Sequence, residues 1–217
     1  MCLLGNKKAR NYCKEHSVSL EECGTLVVAR NEAEEKRLAT LLTKGRTAGV
    51  EGLEIISKEE LQRLQVLSVF EAEAYNNGYS LIAGIDEAGR GPLAGPVVAS
   101  AVILPKGICI PFIDDSKRLS EKKREQLYDV ISKEAINIGI GIVDEKKIDE
   151  INILQAAIMA MKIAISQLNI KPDFILSDAV SLADLNIPQK AIIKGDSKSI
   201  SIAAASIIAK VTRDRLM

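Results

Sequence analysis

Four acidic side chains stand at or near the carboxyl ends of three apolar, strand-like segments. Asp86 and Glu87 follow residues 81–85, while Asp178 and Asp196 end two later segments. A carboxylate buried in such a place destabilises the fold unless it is paired or binds a cation. Because the chain has a single histidine and few basic residues adjoin these acids, we expect a divalent cation, and hard oxygen ligands select Mg²⁺ or Mn²⁺. For any one acid, capping of a turn is the alternative.

A glycine-flanked arginine directly follows the first pair of acids. Gly89 and Gly91 have no Cβ, so the backbone of this turn can approach a ligand closely. Its N–H groups, together with Arg90, could grip a phosphate or a sugar hydroxyl; the alternative is a hairpin turn with a surface arginine. The segments DSKR (115–118) and KKR (122–124) form a local basic patch, for which solvated surface charge is the usual explanation.

The segments that carry these residues predict an α/β domain built on a mixed five-stranded sheet flanked by helices. We expect three strands to pair as an antiparallel meander and two to arrive by crossover connections. The three meander strands are expected within residues 81–89, 96–105 and 137–143, and the two crossover strands within 174–180 and 191–196.

Four helices are predicted around this sheet. The first covers residues 69–80 and stops at the sequence Asn-Asn-Gly. Ser120 begins the second, over 120–135, and Asp149 is expected to start the third. The third helix carries one continuous buried stripe of apolar residues at spacings of three and four. The last helix, 201–217, is rich in alanine and can therefore pack closely.

Residues 1–66 are predicted to be a small α/β fragment separate from the main domain, 67–217. The fragment has a strand signal at 24–30 and helix-start signals at Asn31 and at Ser57. The stretch 45–52 is expected to be a loop. One strand and a few helices give too little sheet for an independent core.

The composition of the whole chain excludes several classes of protein. Lys plus Arg and Asp plus Glu are 29 each, which excludes a broadly basic nucleic-acid coat and an acidic tail. No apolar run reaches the ~18–20 residues that a membrane span needs, and no signal peptide is expected. The four cysteines form no CxxC pair and His16 is the single histidine, so we expect reduced thiols in a cytoplasmic protein rather than a zinc site.

Residues 84–105, GIDEAGRGPLAGPVVASAVILP, closely resemble the opening motif of bacterial ribonuclease HII. The GRG triplet favours type HII over the related type HIII. Four further segments continue the resemblance in the same order as in the family, so that it covers about residues 69–217. They are DDSKRLSEKKREQLY (114–128), IDEINILQAAIMAM (148–161), KGDS (194–197) and SIAAASIIAKVTRDRLM (201–217).

The resemblance implies an RNase H-like fold and a metal-dependent endonuclease. Such an enzyme hydrolyses the RNA strand of RNA–DNA hybrids and incises at ribonucleotides embedded in duplex DNA. The resemblance assigns the catalytic and metal-binding roles to Asp86, Glu87, Asp178 and Asp196, with Asp86 as the bridging ligand of two cations. Hydrolysis by two metal ions agrees with this set of carboxylates.

The same resemblance implies how the nucleic acid is held. Gly89, Arg90 and Gly91 would contact the 2′-hydroxyl at the RNA–DNA junction, the group that separates RNA from DNA. Backbone phosphates, which carry no sequence information, would be held by Lys117, Ser206 and Lys210. We therefore expect a monomer that binds without sequence specificity and more weakly as salt rises.

Two alternatives remain open at this point. The family continues past the position of Met217 with a tyrosine that works with the GRG turn, so the resemblance implies a substrate clamp incomplete at its C-terminus, with weak activity and marginal stability. One alternative is thus an inactive fragment that binds hybrids. The other is a flavin oxidoreductase fragment, because residues 12–64 resemble an internal piece of FAD-dependent 2-hydroxyglutarate oxidases. No GxGxxG fingerprint follows any predicted strand, so we expect no flavin.

Overall fold

A computed structural model describes residues 32–50, 53, 55–92, 94–182 and 185–217. The chain divides between Ser57 and Lys58 into two units, each of which is described by itself. The predicted strand at 24–30 and the predicted helix start at Asn31 lie outside the described residues. Much of the segment that resembles flavin oxidases lies outside them too, and that resemblance stays a prediction.

The described part of the first unit is dominated by one solvated helix, α1 (Glu32–Thr47). None of its residues is buried. Acidic residues in its first turn and basic residues in its last turn complement the helix dipole, which gives it local stabilisation without a core. The helix enters the segment 45–52 that was predicted to be a loop and ends at Thr47, before a turn at Gly49 with φ +73°.

The second unit is built on a five-stranded sheet with the order β3-β2-β1-β4-β5. The first three strands pair antiparallel, and β1–β4 and β4–β5 pair parallel. The predicted mixed sheet, with a meander and two crossover strands, is therefore confirmed. The strands are β1 (Ile82–Ala88), β2 (Val97–Ile103), β3 (Asn137–Val143), β4 (Phe174–Asp178) and β5 (Gln189–Ile192).

Six α-helices and one turn of 3₁₀ helix accompany these strands in the described part of this unit. Their bounds are α2 (Lys58–Leu67), α3 (Val69–Asn76), α4 (Glu121–Glu134), α5 (Glu145–Ile151), α6 (Ile153–Ser166), the 3₁₀ turn (Gly195–Ser197) and α7 (Ile200–Leu216). Ser120 caps α4 as predicted, because its side chain accepts a hydrogen bond from the backbone N–H of Lys123. Within the described residues, no helix is long and apolar enough to cross a membrane.

Two boundaries differ from the sequence prediction. Asp149 was expected to start the helix with the apolar stripe, but it lies inside α5, and the helix with the stripe is the separate α6. Each helix has its own cap, since Asp144 accepts from the N–H of Lys147 and Asn152, with φ +69°, accepts from the N–H of Leu154.

The second boundary concerns the predicted strand at 191–196. The strand β5 ends at Ile192, because Lys194 adopts a left-handed conformation with φ +58° that a strand cannot continue. Asp196 is therefore carried by the 3₁₀ turn rather than by a strand. This turn follows β5 directly, so Asp196 still lies at the carboxyl end of the sheet.

Helices cover both faces of the sheet and make it a buried layer. Helix α6 packs its alanines on the face that carries Ala83 and Ile85, and α7 packs on the opposite face with Ile202 against Ile82. A Cβ on Gly84 would lie 2.1 Å from the carbonyl carbon of Ser201. Helix α7 therefore runs in direct backbone contact with β1.

A buried carboxylate fixes the start of α7. Glu71 of α3 is only 5% exposed and accepts hydrogen bonds from Ser199 Oγ at 2.5 Å and from the backbone N–H of Ser201 at 3.0 Å. Negative charge at a helix N-terminus is stabilising because the first N–H groups lack intrahelical partners. Helix α3 thus holds the N-terminus of α7, immediately after the turn that carries Asp196.

Candidate active site

Asp86 lies near the end of the central strand β1 and is 3% exposed. Side chains alternate along a strand, so Asp86 faces α7, like Ile82 and Gly84. Its Oδ1 accepts from the backbone N–H of Glu87 at 2.8 Å, and the Ser206 hydroxyl of α7 lowers the pKa of this carboxyl. Burial, followed by the charge of Glu87, raises its pKa well above the ordinary value. Asp86 therefore takes up a proton more readily than an exposed aspartate does.

Glu87 has one oxygen engaged and one without a partner. Arg90 Nη1 donates to its Oε1 at 3.0 Å, whereas Oε2 is buried and has no hydrogen-bond partner among the described residues. Burial raises the pKa of this carboxyl although the guanidinium of Arg90 lowers it. An unpartnered buried carboxylate oxygen is unfavourable and is a ready ligand for a cation.

Asp178 lies at the end of β4, which pairs parallel with β1 so that Ser177 stands beside Ile85. Parallel pairing brings the carboxyl ends of both strands to the same edge of the sheet. Asp178 Oδ1 accepts from the backbone N–H of Gly195 at 2.7 Å. This hydrogen bond ties the end of β4 to the 3₁₀ turn and thereby to Asp196.

Asp196 is 5% exposed, and Lys117 Nζ lies 3.5 Å from its Oδ2. Burial and then the charges of Asp115 and Asp178 raise the pKa of Asp196, while Lys117 lowers it. Burial lowers the pKa of Lys117, but the charges of Asp115, Asp196 and Asp86 outweigh it and raise the pKa. One lysine therefore contacts Asp196 directly and senses the charges of Asp115 and Asp86.

The structure thus brings the four predicted acids to one edge of the sheet. The charge of Asp178 contributes to the raised pKa of each of the other three. Each has one oxygen held by a protein N–H donor. Among the described residues, no three acidic, histidine or cysteine side chains are grouped as closely as a bound metal requires. The donor set nevertheless fits a hard divalent cation, because it is all oxygen, mutually repelling and includes the unpartnered Glu87 Oε2.

A cleft of about 450 Å³ opens beside Asp178 and Asp196 and has basic walls. Lys117, Arg118 and Lys194 line it together with Asp115. A cleft with acids at its floor and cations at its rim can hold a metal ion below and a phosphate above. The predicted basic patch at 115–118 therefore adjoins the acids.

Hydrogen bonds from α4 and α7 fix the loop that carries this patch. Arg124 Nη1 donates to the carbonyl oxygens of Ser116 at 3.0 Å and of Leu119 at 2.6 Å. The hydroxyls of Ser116 and Ser206 share a hydrogen bond. The backbone around Lys117 is therefore fixed, although the side chain of Lys117 is largely exposed.

The turn at residues 89–91 presents its arginine and its last glycine outward. Gly89 has φ +111°, a conformation that favours glycine. Arg90 and Gly91 are exposed, and no atom of the described residues lies within 4 Å of where a Cβ on Gly91 would stand. A ligand could therefore approach the backbone of Gly91 without meeting any of the described residues.

Two predicted phosphate contacts have partners within the protein. Ser206 is buried, its hydroxyl shares a hydrogen bond with that of Ser116, and it lowers the pKa of Asp86. Lys210 Nζ lies 2.6 Å from Asp214 Oδ1 on the same helix. Their roles toward phosphate stay predictions, and the structure adds that Ser206 stabilises the charged form of Asp86.

Sequence reasoning missed Asp115, Arg124 and Arg213. Asp115 stands in the quoted basic segment, and its charge acts on Asp196, so the acid within that segment was the available signal. Arg124 donates to two backbone carbonyls of the loop just before its helix, and Arg213 donates to two backbone carbonyls of a loop distant in sequence. Such contacts leave no local pattern, because the partner is a carbonyl that every residue has.

Comparison with known proteins gives concordant matches. The family model described as Ribonuclease HII matches residues 83–217. The ribonuclease HII of Acetivibrio thermocellus is 61% identical over 160 residues, which are 74% of this chain and 62% of that protein. The ribonuclease HII of Clostridioides difficile is 58% identical over 165 residues, 76% of this chain and 64% of that protein. The chain therefore spans less than two thirds of the length of these relatives.

Solved structures agree on the fold. The ribonuclease H2 of Pyrococcus horikoshii OT3 matches with a TM-score of 0.54 and 31% identity, covering 62% of this chain and 72% of that one. A Bst-RNase HIII solved in complex with Mn²⁺ matches with a TM-score of 0.51 and 17% identity, covering 76% and 58%. At that identity the second likeness shows the fold alone. The predicted fold class is confirmed.

Proposed function

The chain belongs to the ribonuclease HII family, and from this premise we propose that it hydrolyses the RNA strand of RNA–DNA hybrids and incises at ribonucleotides embedded in duplex DNA. The observation that carries the proposal is the grouping of Asp86, Glu87, Asp178 and Asp196 at one edge of the sheet, beside a cleft with basic walls. Four carboxylates at one edge of the sheet, two of them buried, destabilise the protein unless they serve a ligand.

We propose that these four acids hold two Mg²⁺ or Mn²⁺ ions. When bound, such a pair of ions supplies an activated water and stabilises the leaving 3′ oxygen. Asp86, the most buried and central of the four, is the proposed bridging ligand, and the unpartnered Glu87 Oε2 is a proposed ligand atom. A structural neighbour, the Bst-RNase HIII, was solved with Mn²⁺, which is in keeping with this choice of metal.

The remaining proposed roles concern the orientation of the duplex. The exposed Arg90 and the open backbone of Gly89 and Gly91 would contact the 2′-hydroxyl of the ribonucleotide, the group that DNA lacks. Lys117 would bind a backbone phosphate at the rim of the cleft and so place the scissile bond above the acids. Ser206 and Lys210 are proposed to complete the phosphate contacts. None of these contacts distinguishes one base from another, so cleavage is expected to lack sequence specificity.

We further propose that the protein acts as a monomer in the cytoplasm on nucleic acid. This proposal rests on the family and on the position of the acids in a single chain. All four proposed ligands come from one unit of the fold, residues 58–217, so no second copy is needed to assemble them.

The test uses a DNA duplex that contains one ribonucleotide, incubated with the protein in Mg²⁺ or Mn²⁺. We expect cleavage 5′ to the ribonucleotide, its loss in Asp86→Asn, and its retention in Glu150→Gln, a matched change of an exposed acid on α5 that pairs with Lys147. Absence of cleavage by a folded protein in both metals would contradict the proposed activity. Duplex binding without cleavage, measured by fluorescence anisotropy, would then support the alternative of an inactive hybrid-binding fragment.

A further inference from the structure

Arg213, in the last turn of α7, is a buried arginine whose donors point into the loop between β1 and β2. It is 6% exposed. Its Nε donates to the carbonyl oxygen of Pro96 at 2.9 Å, and its Nη2 donates to that of Ala94 at 2.8 Å. A guanidinium is planar and presents its donors in a fixed fork. Two simultaneous bonds therefore fix both the distance and the orientation of this loop relative to α7.

Two glycines let the loop close around the guanidinium. A Cβ on Gly89 would lie 2.8 Å from Arg213 Nε, and one on Gly95 would lie 3.2 Å from Arg213 Nη2. Both glycines have positive φ, +111° and +88°, which side-chain-bearing residues rarely adopt. The loop thus packs closely against the guanidinium both at Gly89 and at Gly95, on the side that faces α7.

Among the described residues, the opposite side of the turn has less support. Arg90 is exposed and donates only to Glu87, and no described atom lies within 4 Å of where a Cβ on Gly91 would stand. Arg213 therefore supports the turn from the side that faces away from the solvent. A loop carrying recognition groups must be preorganised if binding is not to lose free energy to ordering it.

We propose that Arg213 is a positioning residue that holds residues 89–91 in the conformation that distinguishes a ribonucleotide from a deoxyribonucleotide. This inference rests on the proposed function, in which that turn contacts the 2′-hydroxyl. Arg213 acts through the backbone of the loop and does not itself contact the nucleic acid. Its loss removes discrimination between sugars while the phosphate contacts of the cleft persist.

The chain offers a matched control two residues further on. Arg215 belongs to the same helical turn but is exposed, pairs with Glu125 at 2.5 Å and lies over the ring of Tyr128 at 4.2 Å. Arg215→Met removes the same charge from the same helix end without touching the loop at 89–96. Comparison of Arg215→Met with Arg213→Met therefore separates the loss of loop support by Arg213 from a general effect of charge on duplex binding.

The experiment measures dissociation constants by fluorescence anisotropy for two duplexes of one sequence, all-DNA and with a single ribonucleotide. All proteins carry Asp86→Asn and are kept in Mg²⁺, so that cleavage does not interfere. We expect the parent to prefer the ribonucleotide duplex. Arg213→Met should reduce that preference about tenfold, a change of ~1.4 kcal/mol, with nearly unchanged affinity for the all-DNA duplex. Arg215→Met should leave the preference intact.

The outcomes separate this inference from the proposed function. A preference that survives in folded Arg213→Met overturns the inference alone, as does an equal loss of affinity for both duplexes. A parent without any preference overturns the proposed recognition of the ribonucleotide, and the inference with it.

A second measurement covers the case in which Arg213→Met does not fold. Arg213→Lys keeps the charge but cannot form the two-pronged contact. We expect it to raise amide hydrogen exchange of residues 89–91 while the exchange of β1 is unchanged. Unchanged exchange of the turn in Arg213→Lys would overturn the inference.

Discussion

The hydroxyls of Ser116 and Ser206 lie 2.8 Å apart and share a hydrogen bond. The bond links the loop that carries Lys117 to the middle of α7, next to Asp86. Both serines are buried, at 3% exposure each. One contact therefore joins a proposed phosphate-binding loop, the last helix and the most buried acid.

Removal of either serine hydroxyl should leave the other buried hydroxyl with one partner fewer. We expect Ser206→Ala and Ser116→Ala each to lower the free energy of unfolding by ~1–2 kcal/mol. The double variant should lose less than the sum of the two, because the second change removes a group already deprived of its partner. Urea denaturation measures all three, and additive losses would show that the two hydroxyls do not stabilise each other.

Burial of the acids, together with repulsion between their charges, predicts an unusual dependence of stability on pH in the metal-free protein. The pKa values of Asp86, Glu87 and Asp196 are raised. Proton binding by these three carboxyls therefore stabilises the folded protein. This stabilisation is fully present below the ordinary carboxyl pKa values and is lost as pH rises through the raised values. In EDTA at pH 8, Asp86→Asn should be more stable than the parent chain by ~1 kcal/mol or more, about 2–4 °C in melting temperature.

Melting curves at pH 8 and at pH 4 test this prediction. The advantage of Asp86→Asn should shrink toward pH 4, where the parent carboxyl becomes protonated. Addition of Mg²⁺ should raise the melting temperature of the parent more than that of the variant. A variant that melts below the parent in EDTA at pH 8 would mean that the charge of Asp86 stabilises the fold without a metal.

The backbone contact between β1 and α7 makes Gly84 irreplaceable. A Cβ there would lie 2.1 Å from the carbonyl carbon of Ser201, so Gly84→Ala must push the helix off the strand. We expect a loss of ~3 kcal/mol or more, or no folded protein. Gly91→Ala is the control for stability, because no atom of the part of the chain that the structure describes lies within 4 Å of its Cβ position; its melting temperature should match that of the parent. Equal effects of the two changes would contradict the packing described.

The buried carboxylate of Glu71 should matter more than an exposed carboxylate on the same helix. Glu71→Gln removes the negative charge that faces the N-terminus of α7 and weakens the bonds to Ser199 and Ser201. We expect a loss of ~1–2 kcal/mol in the free energy of unfolding. Glu73→Gln, which breaks an exposed ion pair with Lys190, should cost about 0.5 kcal/mol or less. Denaturant titration measures the free energy of unfolding of both variants. A larger loss of that free energy in Glu73→Gln than in Glu71→Gln would refute the role assigned to Glu71.

Lys117 should contribute to duplex affinity through charge alone. Lys117→Gln is expected to weaken binding to all-DNA and ribonucleotide-containing duplexes alike and to reduce the slope of log affinity against log salt by about one. Lys147→Gln, on α5 and paired with Glu150, is the matched control and should leave the slope unchanged. If Lys117→Gln altered affinity for only one of the duplexes, the residue would be part of sugar recognition instead.

The sheet and the four acids were predictable because both depend on local pattern. Apolar segments with acids at their carboxyl ends require only that strands meet at one edge, and β3 was predicted with the bounds that it has. The start of α6 was missed because Asp144 and Asn152 each cap a helix in a stretch where one helix was expected. The end of β5 was missed because nothing in the sequence marks Lys194 as left-handed.

The supports of the site could not be predicted for a different reason. Arg213 bonds to main-chain carbonyls far away in sequence, and Arg124 bonds to those of the loop that precedes its helix. The positions of all these carbonyls depend on the finished fold. In the sequence both arginines resemble the solvated charges that surround them. Long-range contacts to the backbone become visible only in three dimensions.

The strand order also has a consequence for co-translational folding of the protein. The central strand β1, with Asp86 and Glu87, leaves the ribosome well before β4 and the 3₁₀ turn, which carry Asp178 and Asp196. Until those segments and α7 have been synthesised, the first pair of acids has neither its partners nor the helix that buries Asp86. Pairing of β1 with β4 is non-local and therefore comes late in folding. A nascent chain thus lacks the assembled acidic edge until α7 has left the ribosome.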